Sequence, residues 1–307
     1  MTKTIKMLVA AAGGLLLSTL PAHAALNVLA CEPEWGALVR ELAGEDAQVY
    51  EATTALQDPH RIQARPSLLS AARKADLLVC TGADLEVGWL PILIRQSGND
   101  RIQPGKPGNF EAAQYVPRLE VPTRLDRADG DVHAAGNPHI QTDPRNIALV
   151  ATALARRLGE VDAARAAGYQ RRLADFDTRW KAAVQKWQQQ AAPLKGLPIV
   201  VQHKAWPYLE NWLGLKEVAS LEPKPGVEPT SAHLSEVLGQ LQPQGARVIV
   251  RAAYNDARAS DWLAERSRLP VAVLPFSVGG TDGAKDLFGL FDDTLQRLLA
   301  AAKGTAK

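Results

Sequence analysis

Three histidines have the residue type and setting to bind a metal ion, and two of them share one motif. His60 ends an Asp-Pro-His triplet, and His139 ends an Asn-Pro-His triplet. Proline fixes its own φ and holds the preceding residue extended, so each triplet predicts a stiff turn that presents its imidazole from a defined direction. His203 follows the apolar run 199–201. Two such turns and a histidine at a strand end predict a metal site that spans a cleft.

Imidazole nitrogen favours zinc over magnesium or calcium, which prefer oxygen ligands. Histidine is scarce here, six in all, and His23 falls in the N-terminal targeting segment. A lone histidine is more often an ordinary loop residue, but the repeated triplet favours a site. His133 is interpreted either as an accessory capture ligand or as a solvated loop residue. His233 is expected to be structural or exposed.

The elements that must position these histidines alternate between strand and helix, a pattern typical of parallel α/β sheets. In the first part, strands are predicted at 26–31, 48–52 and 76–80, and helices at 35–43 and 66–74. A poorly periodic stretch rich in glycine and proline, 103–137, precedes a helix through Leu158. In the second part, strands are predicted at 197–201, 217–221, 247–251 and 271–276, and helices at 206–213, 231–241, 260–266 and 282–302.

Residues 160–192 form the longest predicted helix. Tyr169, Phe176, Trp180 and Trp187 recur at spacings of a single helical face, which indicates core packing rather than a ligand platform. The predicted fold class is therefore α/β. Two lobes, 25–159 and 193–307, each with a mainly parallel sheet flanked by helices, are joined by one long helix. Ligands bind beyond the carboxyl ends of strands in such sheets, so the cleft between the lobes is the expected metal site.

The N-terminus has the features of a secretory signal. Lys3 and Lys6 precede an apolar stretch, and a small-x-small site predicts cleavage after about Ala24, hence export to the periplasm. The apolar stretch is short for a bilayer span. Loss of the two lysines lowers the formal net charge from +2 to zero, so no basic excess favours nucleic acid. A monomer without a transmembrane segment in the mature chain is expected.

The two cysteines, Cys31 and Cys80, each end a predicted strand. If the strands are parallel neighbours, the two side chains meet at one edge of the sheet, and export permits a disulfide. A disulfide closing this loop would contribute about 4 kcal/mol in the chain-entropy treatment. The alternative is two buried thiols that point apart.

These segments together resemble the metal-binding receptors of bacterial zinc and manganese ABC importers, in the group with a rigid helix between two lobes. The resemblance covers essentially the whole mature chain. The matching segments are Asp58-Pro59-His60 with Arg65-Pro66-Ser67, Ala75-Asp76-Leu77, Gly82 to Glu86, Gly136-Asn137-Pro138-His139 with Asp143-Pro144, His203 with Tyr208 and Gly214, and Glu222-Pro223 through Glu228-Pro229. It implies that His60, His139 and His203 bind the metal, with a fourth ligand from the loop after the last strand.

The sequence departs from the family pattern at that fourth ligand. The family usually has an aspartate close to the strand end, where this chain has the run 275–280 without an acidic residue. Asp282 is the first carboxylate after it, and it is expected either to reach the metal or to cap the last helix. Water is the other occupant considered. The long loop rich in histidine and aspartate found in some zinc receptors is absent, with only 126–133 in its place.

The sequence thus predicts an exported binding protein, not an enzyme, that captures Zn²⁺ and delivers it to the membrane permease of an ABC importer. Manganese binding is the alternative within this class. From other classes, a zinc hydrolase would need Asp282 or Glu86 as a general base. An adhesin would need exposed aromatic patches, whereas the tryptophans here have core-like spacing.

Overall fold

The computed structural model describes residues 24–124, 130 and 132–304. The signal segment predicted at 1–24 therefore lies outside the described residues except for Ala24. Within the described part of the chain, no helix is long and apolar enough to cross a bilayer.

Two four-stranded parallel sheets form the two lobes, and they share one strand order. The first lobe contains β1 (Leu26–Ala30), α1 (Pro33–Ala43), β2 (Ala47–Glu51), α2 (Pro66–Lys74), β3 (Leu77–Cys80), α3 (Leu90–Ser97), β4 (Asn109–Glu111) and α4 (Pro144–Val161). After α5 (Ala166–Ala191), the second contains β5 (Pro198–Val201), α6 (Pro207–Leu213), β6 (Lys216–Ser220), α7 (Ser231–Gln244), β7 (Val248–Ala252), α8 (Arg258–Ser267), β8 (Val271–Leu274) and α9 (Leu287–Gly304). The sheets run β2-β1-β3-β4 and β6-β5-β7-β8. The predicted fold class is confirmed.

In each lobe the first strand in sequence is central, so the chain leaves it toward one side of the sheet and returns on the other. Such a reversal opens a crevice beyond the carboxyl ends of the central strands. His203 follows β5, the central strand of the second lobe. The crevices of the two lobes provide the cleft.

The long connecting helix, α5, packs against both lobes. It contacts α1 and α4 of the first lobe and α9 of the second. Its four aromatic residues are at most 1% exposed, which confirms the core interpretation of the stripe; they are Tyr169, Phe176, Trp180 and Trp187. One hydrophobic cluster runs through both lobes by way of this helix. A change in the side-chain packing of α5 would therefore affect both lobes, because protein cores are close-packed.

The long helix is shorter than predicted at its start. A helix was expected from residue 160, but α4 ends at Val161 and α5 begins at Ala166. The carboxylate of Asp162 explains the break, since it accepts hydrogen bonds from Arg165 (2.7 Å) and the hydroxyl of Tyr169 (2.8 Å). A side chain that bonds locally in this way competes with helix continuation. The division at 159/160 and 192/193 between lobes and helix stays a prediction.

A disulfide joins Cys31 and Cys80, as the sequence suggested. β1 and β3 are parallel neighbours, and the N–H of Cys31 continues their ladder by donating to Val79 (2.8 Å). The two Cα atoms are 4.8 Å apart, and both residues are fully buried. The bond fixes the carboxyl ends of the two central strands of the first lobe.

Candidate metal centre

The three histidines singled out in the sequence come together in the cleft. One ring nitrogen of each lies within 4.8 Å of the ring nitrogens of the other two. His139 is 1% exposed and His203 8% exposed, while His60 is half-buried. The first lobe contributes two of the imidazoles and the second lobe one, so a bound ion would touch both lobes.

The spacing of the rings fits one tetrahedral ion. Zinc–nitrogen bonds of about 2.0–2.1 Å, with the ring centre about 1 Å further out, place tetrahedral imidazole centroids about 5 Å apart. The centroids of His60 and His139 are 5.4 Å apart, those of His60 and His203 5.8 Å, and those of His139 and His203 5.5 Å. The observed centroid distances exceed that value by about 0.4–0.8 Å, so a small contraction would bring the three rings to the spacing of one ion.

The Asp-Pro-His turn orients His60 through the aspartate. Oδ1 of Asp58 accepts the backbone N–H of His60 (3.0 Å) and also lies 2.7 Å from its ring Nδ1. An aspartate that bonds to the backbone two residues later forms an Asx turn, and the intervening proline stiffens it. The same carboxylate thus fixes both the backbone and the ring.

The Asn-Pro-His turn repeats this arrangement at His139. Oδ1 of Asn137 accepts the backbone N–H of His139 (3.0 Å) and lies 2.8 Å from Nδ1. Nδ2 of Asn137 donates to Glu120 (3.0 Å) and to the carbonyl of Lys204 (3.1 Å), so Oδ1 must be the atom that faces the ring. Gly136 begins the turn with φ +96°, and a Cβ there would lie 2.7 Å from the carbonyl oxygen of Leu119.

His203 has a carboxylate partner from a distant part of the chain. Its Nδ1 lies 2.7 Å from Oε2 of Glu222, which follows the neighbouring strand β6. The arrangement therefore depends on strand pairing rather than on a local turn.

All three rings use Nδ1 for an oxygen acceptor, which indicates that Nδ1 carries the proton and that Nε2 keeps a lone pair. Nε2 of His60 and Nε2 of His139 are buried, and neither has a hydrogen-bond partner. Metal-binding histidines commonly donate their other nitrogen to a carboxylate or carbonyl, which fixes the tautomer. Sequence reasoning treated Asp58 only as a turn residue and gave no such role to Asn137 or Glu222. For the two motif histidines, the residue two positions earlier in the sequence was the available signal.

The electrostatics favour a neutral imidazole at His139, the most buried of the three histidines. Burial, and after it the nearby His60, His203 and His133, hold the pKa of His139 well below its usual value. Burial opposes ionisation of Asp58, but hydrogen bonds from His60 and electrostatic interactions with His60 and His203 outweigh it and lower the pKa of that carboxyl. A neutral imidazole beside an ionised carboxylate is the state that binds a cation.

His133 lies beside the group of three. Its ring stacks on His60 with the centroids 5.3 Å apart, and its centroid is 6.4 Å from that of His139. A cavity of about 370 Å³ adjoins these rings, and its lining includes Glu120, Lys204 and the loop 223–225. His133 is half-buried at the side of this cavity.

Asp282 is exposed in the turn after β8. Among the residues that the structure describes, it does not belong to the set whose ligand atoms converge with the three histidines. It does not cap the last helix either, because α9 begins at Leu287 rather than at residue 282, and Oδ1 of Asp286 accepts the N–H of Gly289 (2.7 Å). Asp282 as a metal ligand stays a prediction.

A buried pair behind His139 joins the two lobes. The ring of Phe276 packs edge-on against His139, with centroids 5.4 Å apart. The hydroxyl of the next residue, Ser277, accepts the N–H of Glu34 at the start of α1 (3.2 Å) and donates to its carboxylate. Burial raises the pKa of Glu34 from 4.5 to about 7, against the opposing hydrogen bond from Ser277. Glu34 therefore ionises at a lower pH in the unfolded chain than in the folded one. Its contribution to folding stability is lost as pH rises from 4.5 to about 7.

Glu86 is only 2% exposed, and its carboxylate accepts the backbone N–H groups of Thr81 (2.7 Å) and Gly82 (3.1 Å). Burial raises its pKa to about 7, against the opposing hydrogen bonds. Since its oxygens are engaged with the loop after β3, this carboxylate is not arranged as a base for a metal-bound water.

The chain is similar to zinc-uptake proteins of one family. The family model described as zinc-uptake complex component A, periplasmic (ZnuA), matches residues 28–301. A high-affinity zinc uptake system protein ZnuA of Brucella abortus (strain 2308) is 28% identical over 111 residues, which cover 36% of this chain and 33% of that protein. The chain thus aligns with about a third of the length of that relative.

Two further matches extend over nearly the whole chain. The protein of the same name from Paracoccus denitrificans (strain Pd 1222) is 25% identical, with 96% of each chain covered. A solved structure described as the crystal structure of ZnuA has a TM-score of 0.75 and 21% identity, and the match covers 91% of this chain and 99% of that one. At that identity the structural likeness supports the fold, and the match to the family model covers the site.

Proposed function

We propose that this chain, which belongs to the ZnuA family of periplasmic zinc-uptake components, captures Zn²⁺ between its lobes and delivers it to the permease of an ABC importer. The observation that carries this proposal is the convergence of three imidazole nitrogens within 4.8 Å, each ring held by an oxygen acceptor at Nδ1. The protein is a binding protein and not an enzyme.

His60, His139 and His203 are the proposed ligands, each through Nε2. Three neutral imidazoles suit zinc, whereas manganese prefers sites with more carboxylate and carbonyl oxygen. The carboxylates of Asp58 and Glu222 act on the rings and would not touch the ion. This division makes zinc the preferred cargo, with Mn²⁺ as the weaker alternative.

The fourth coordination position has three candidate occupants. Stacking of His133 on His60 supports His133, which a short movement of its loop would bring to the ion. Asp282 is exposed, so the turn that carries it would have to move toward the cleft. Water would suit a cargo site that must also release its ion. Loss of zinc affinity in His133→Ala, but not in Asp282→Asn, would assign the position to His133.

Delivery to a permease implies that the cleft face meets a membrane protein outside the cytoplasm. The periplasmic family fits that location. We propose that the signal segment is removed after about Ala24 and that the mature chain is a monomer. N-terminal sequencing of the exported protein and its mass in solution test these two points.

The hydrolase alternative would require a carboxylate positioned beside a metal-bound water. Glu86 binds backbone N–H groups of its own loop, and Asp282 is exposed. Neither arrangement supports a general base.

Zinc titration of single variants tests the proposal. His60→Ala, His139→Ala and His203→Ala should each abolish tight binding, because each removes one of three protein ligands. His233→Ala is the matched control, since His233 lies on α7 with its Nε2 3.0 Å from the carbonyl of Ser220. Wild-type affinity in all three ligand variants would exclude the site.

A further inference from the structure

A tight turn in the second lobe borders the cavity beside the histidines. Residues 224–227 form it, and the N–H of Val227 donates to the carbonyl of Lys224 (3.0 Å). Pro225 occupies the second position, and Gly226 has φ +75° in the third. Proline followed by glycine at positive φ is the combination that a type II turn requires. We call residues 224–227 the cleft turn; Pro225 fixes its own φ, and Gly226 permits the positive φ of the third position.

The Gly226 peptide groups connect this turn to both sides of the metal centre. The N–H of Gly226 donates to Oε2 of Glu222 (2.8 Å), the same oxygen that lies 2.7 Å from Nδ1 of His203. The carbonyl of Gly226 accepts a hydrogen bond from Nη2 of Arg61 (3.3 Å). Arg61 directly follows His60 in the first lobe. One glycine thus links the orienting carboxylate of one ligand to the neighbour of another, across the cleft.

The cleft turn also forms part of the wall of the cavity beside the histidines. Lys224 and Pro225 line that cavity together with His139 and His203. Gly130 lies so close that a Cβ there would be 2.4 Å from the carbonyl oxygen of Pro225. The turn therefore lies close to Gly130 on one side and is hydrogen-bonded to Glu222 and Arg61.

We infer that the Arg61–Gly226 hydrogen bond is a closing contact that slows the release of zinc from the cleft. This inference rests on the proposed function. For the ion to leave, the ligands of the first lobe must separate from His203 of the second lobe, and the Arg61–Gly226 contact opposes this separation. The cleft turn also maintains the hydrogen bond between Glu222 and His203. Arg61 is a positioning residue in this scheme, since it does not touch the ion.

The sign of the charge effect makes the inference testable. Removal of a positive charge near a bound dication should by itself strengthen binding, because like charges repel. If Arg61 acts through its hydrogen bond, its removal should instead accelerate release. The two explanations predict opposite changes in the dissociation rate.

The experiment measures zinc dissociation from the full-length mature protein into excess chelator by stopped flow. Arg61→Ala should release zinc about 3- to 10-fold faster, as expected for one exposed hydrogen bond with a charged donor. Arg61→Lys keeps the charge that repels the ion but loses the guanidinium that reaches the Gly226 carbonyl, so it should release zinc at least as fast as Arg61→Ala. Arg95→Ala, an exposed arginine on α3, is the matched control and should behave as the wild type.

A second variant acts through the turn itself. Gly226→Ala places a side chain at φ +75° and should also accelerate release, because the peptide must rotate away from Arg61 or Glu222. Unchanged or slower release in Arg61→Ala overturns the inference while leaving the zinc site intact. Absence of zinc binding in the wild-type protein would instead reject the proposed function, so the two failures are distinct.

Discussion

Removal of the Asp58 carboxylate is expected to weaken zinc binding although Asp58 is not a ligand. Its Oδ1 holds both the backbone N–H and the ring Nδ1 of His60, at 3.0 and 2.7 Å. Loss of a group that orients a metal-binding histidine typically reduces affinity about 10- to 100-fold. The Asp58 side chain is 39% exposed, so water can replace part of the interaction. We therefore expect Asp58→Ala to lose affinity about 10- to 30-fold, or about 1.4–2 kcal/mol.

Asp58→Asn separates charge from geometry. The amide keeps an acceptor oxygen, and Asn137 shows that an amide supports the same contacts at His139. A hydrogen bond to a charged group contributes about 1 kcal/mol more than a neutral one, so this variant should lose only about fivefold.

Competition with a chromophoric chelator at fixed pH and salt measures these affinities. Asp175→Asn, an exposed aspartate on α5, controls for the loss of a negative charge, and thermal unfolding of the metal-free proteins controls for folding. An affinity of Asp58→Ala within twofold of the wild type would refute the role given to Asp58.

Three further predictions concern other parts of the molecule. Glu34→Gln should reduce the loss of folding stability between pH 4.5 and about 7, by on the order of 3 kcal/mol at about 1.4 kcal/mol per pKa unit. Denaturant unfolding at several pH values measures this stability. A pH profile unchanged from that of the wild type would contradict the prediction. The double variant Cys31→Ala, Cys80→Ala should lose about 4 kcal/mol of unfolding free energy in urea yet still bind zinc; a loss below about 1 kcal/mol would contradict this. His133→Ala should bind zinc more weakly than Asp282→Asn in chelator competition, and the reverse order would favour Asp282 as fourth ligand.

The parts of the fold and site that the sequence predicts are those with local causes. Apolar runs alternating with helical periodicity located seven of the eight described strands to within a few residues, whereas β4 lies in the stretch 103–137, where no strand was predicted. Proline at positions 59 and 138 made two turns recognisable, and the structure brings the histidines that end them together with His203. The acceptors two residues earlier are local as well, so Asp58 and Asn137 were recoverable from the sequence.

Other features depend on contacts between distant residues. Glu222 meets His203 only because β6 pairs with β5, and no local pattern marks that partnership. The start of α5 depends on the hydrogen bond that the Tyr169 hydroxyl donates to the Asp162 carboxylate, at the point where periodicity alone would continue the preceding helix. The cleft turn contains a Pro-Gly pair that the sequence analysis did not interpret, and its contact with Arg61 depends on the packing of the two lobes.

The coordination of zinc in the purified protein tests the central claim most directly. X-ray absorption of the protein loaded with one equivalent of zinc should show three imidazole nitrogens at about 2.0–2.1 Å and one further light-atom ligand. His139→Ala, measured in the same way, should lose the stoichiometric ion. A first shell dominated by carboxylate oxygen, or the same spectrum in His139→Ala, would contradict the assignment of the site to the three histidines.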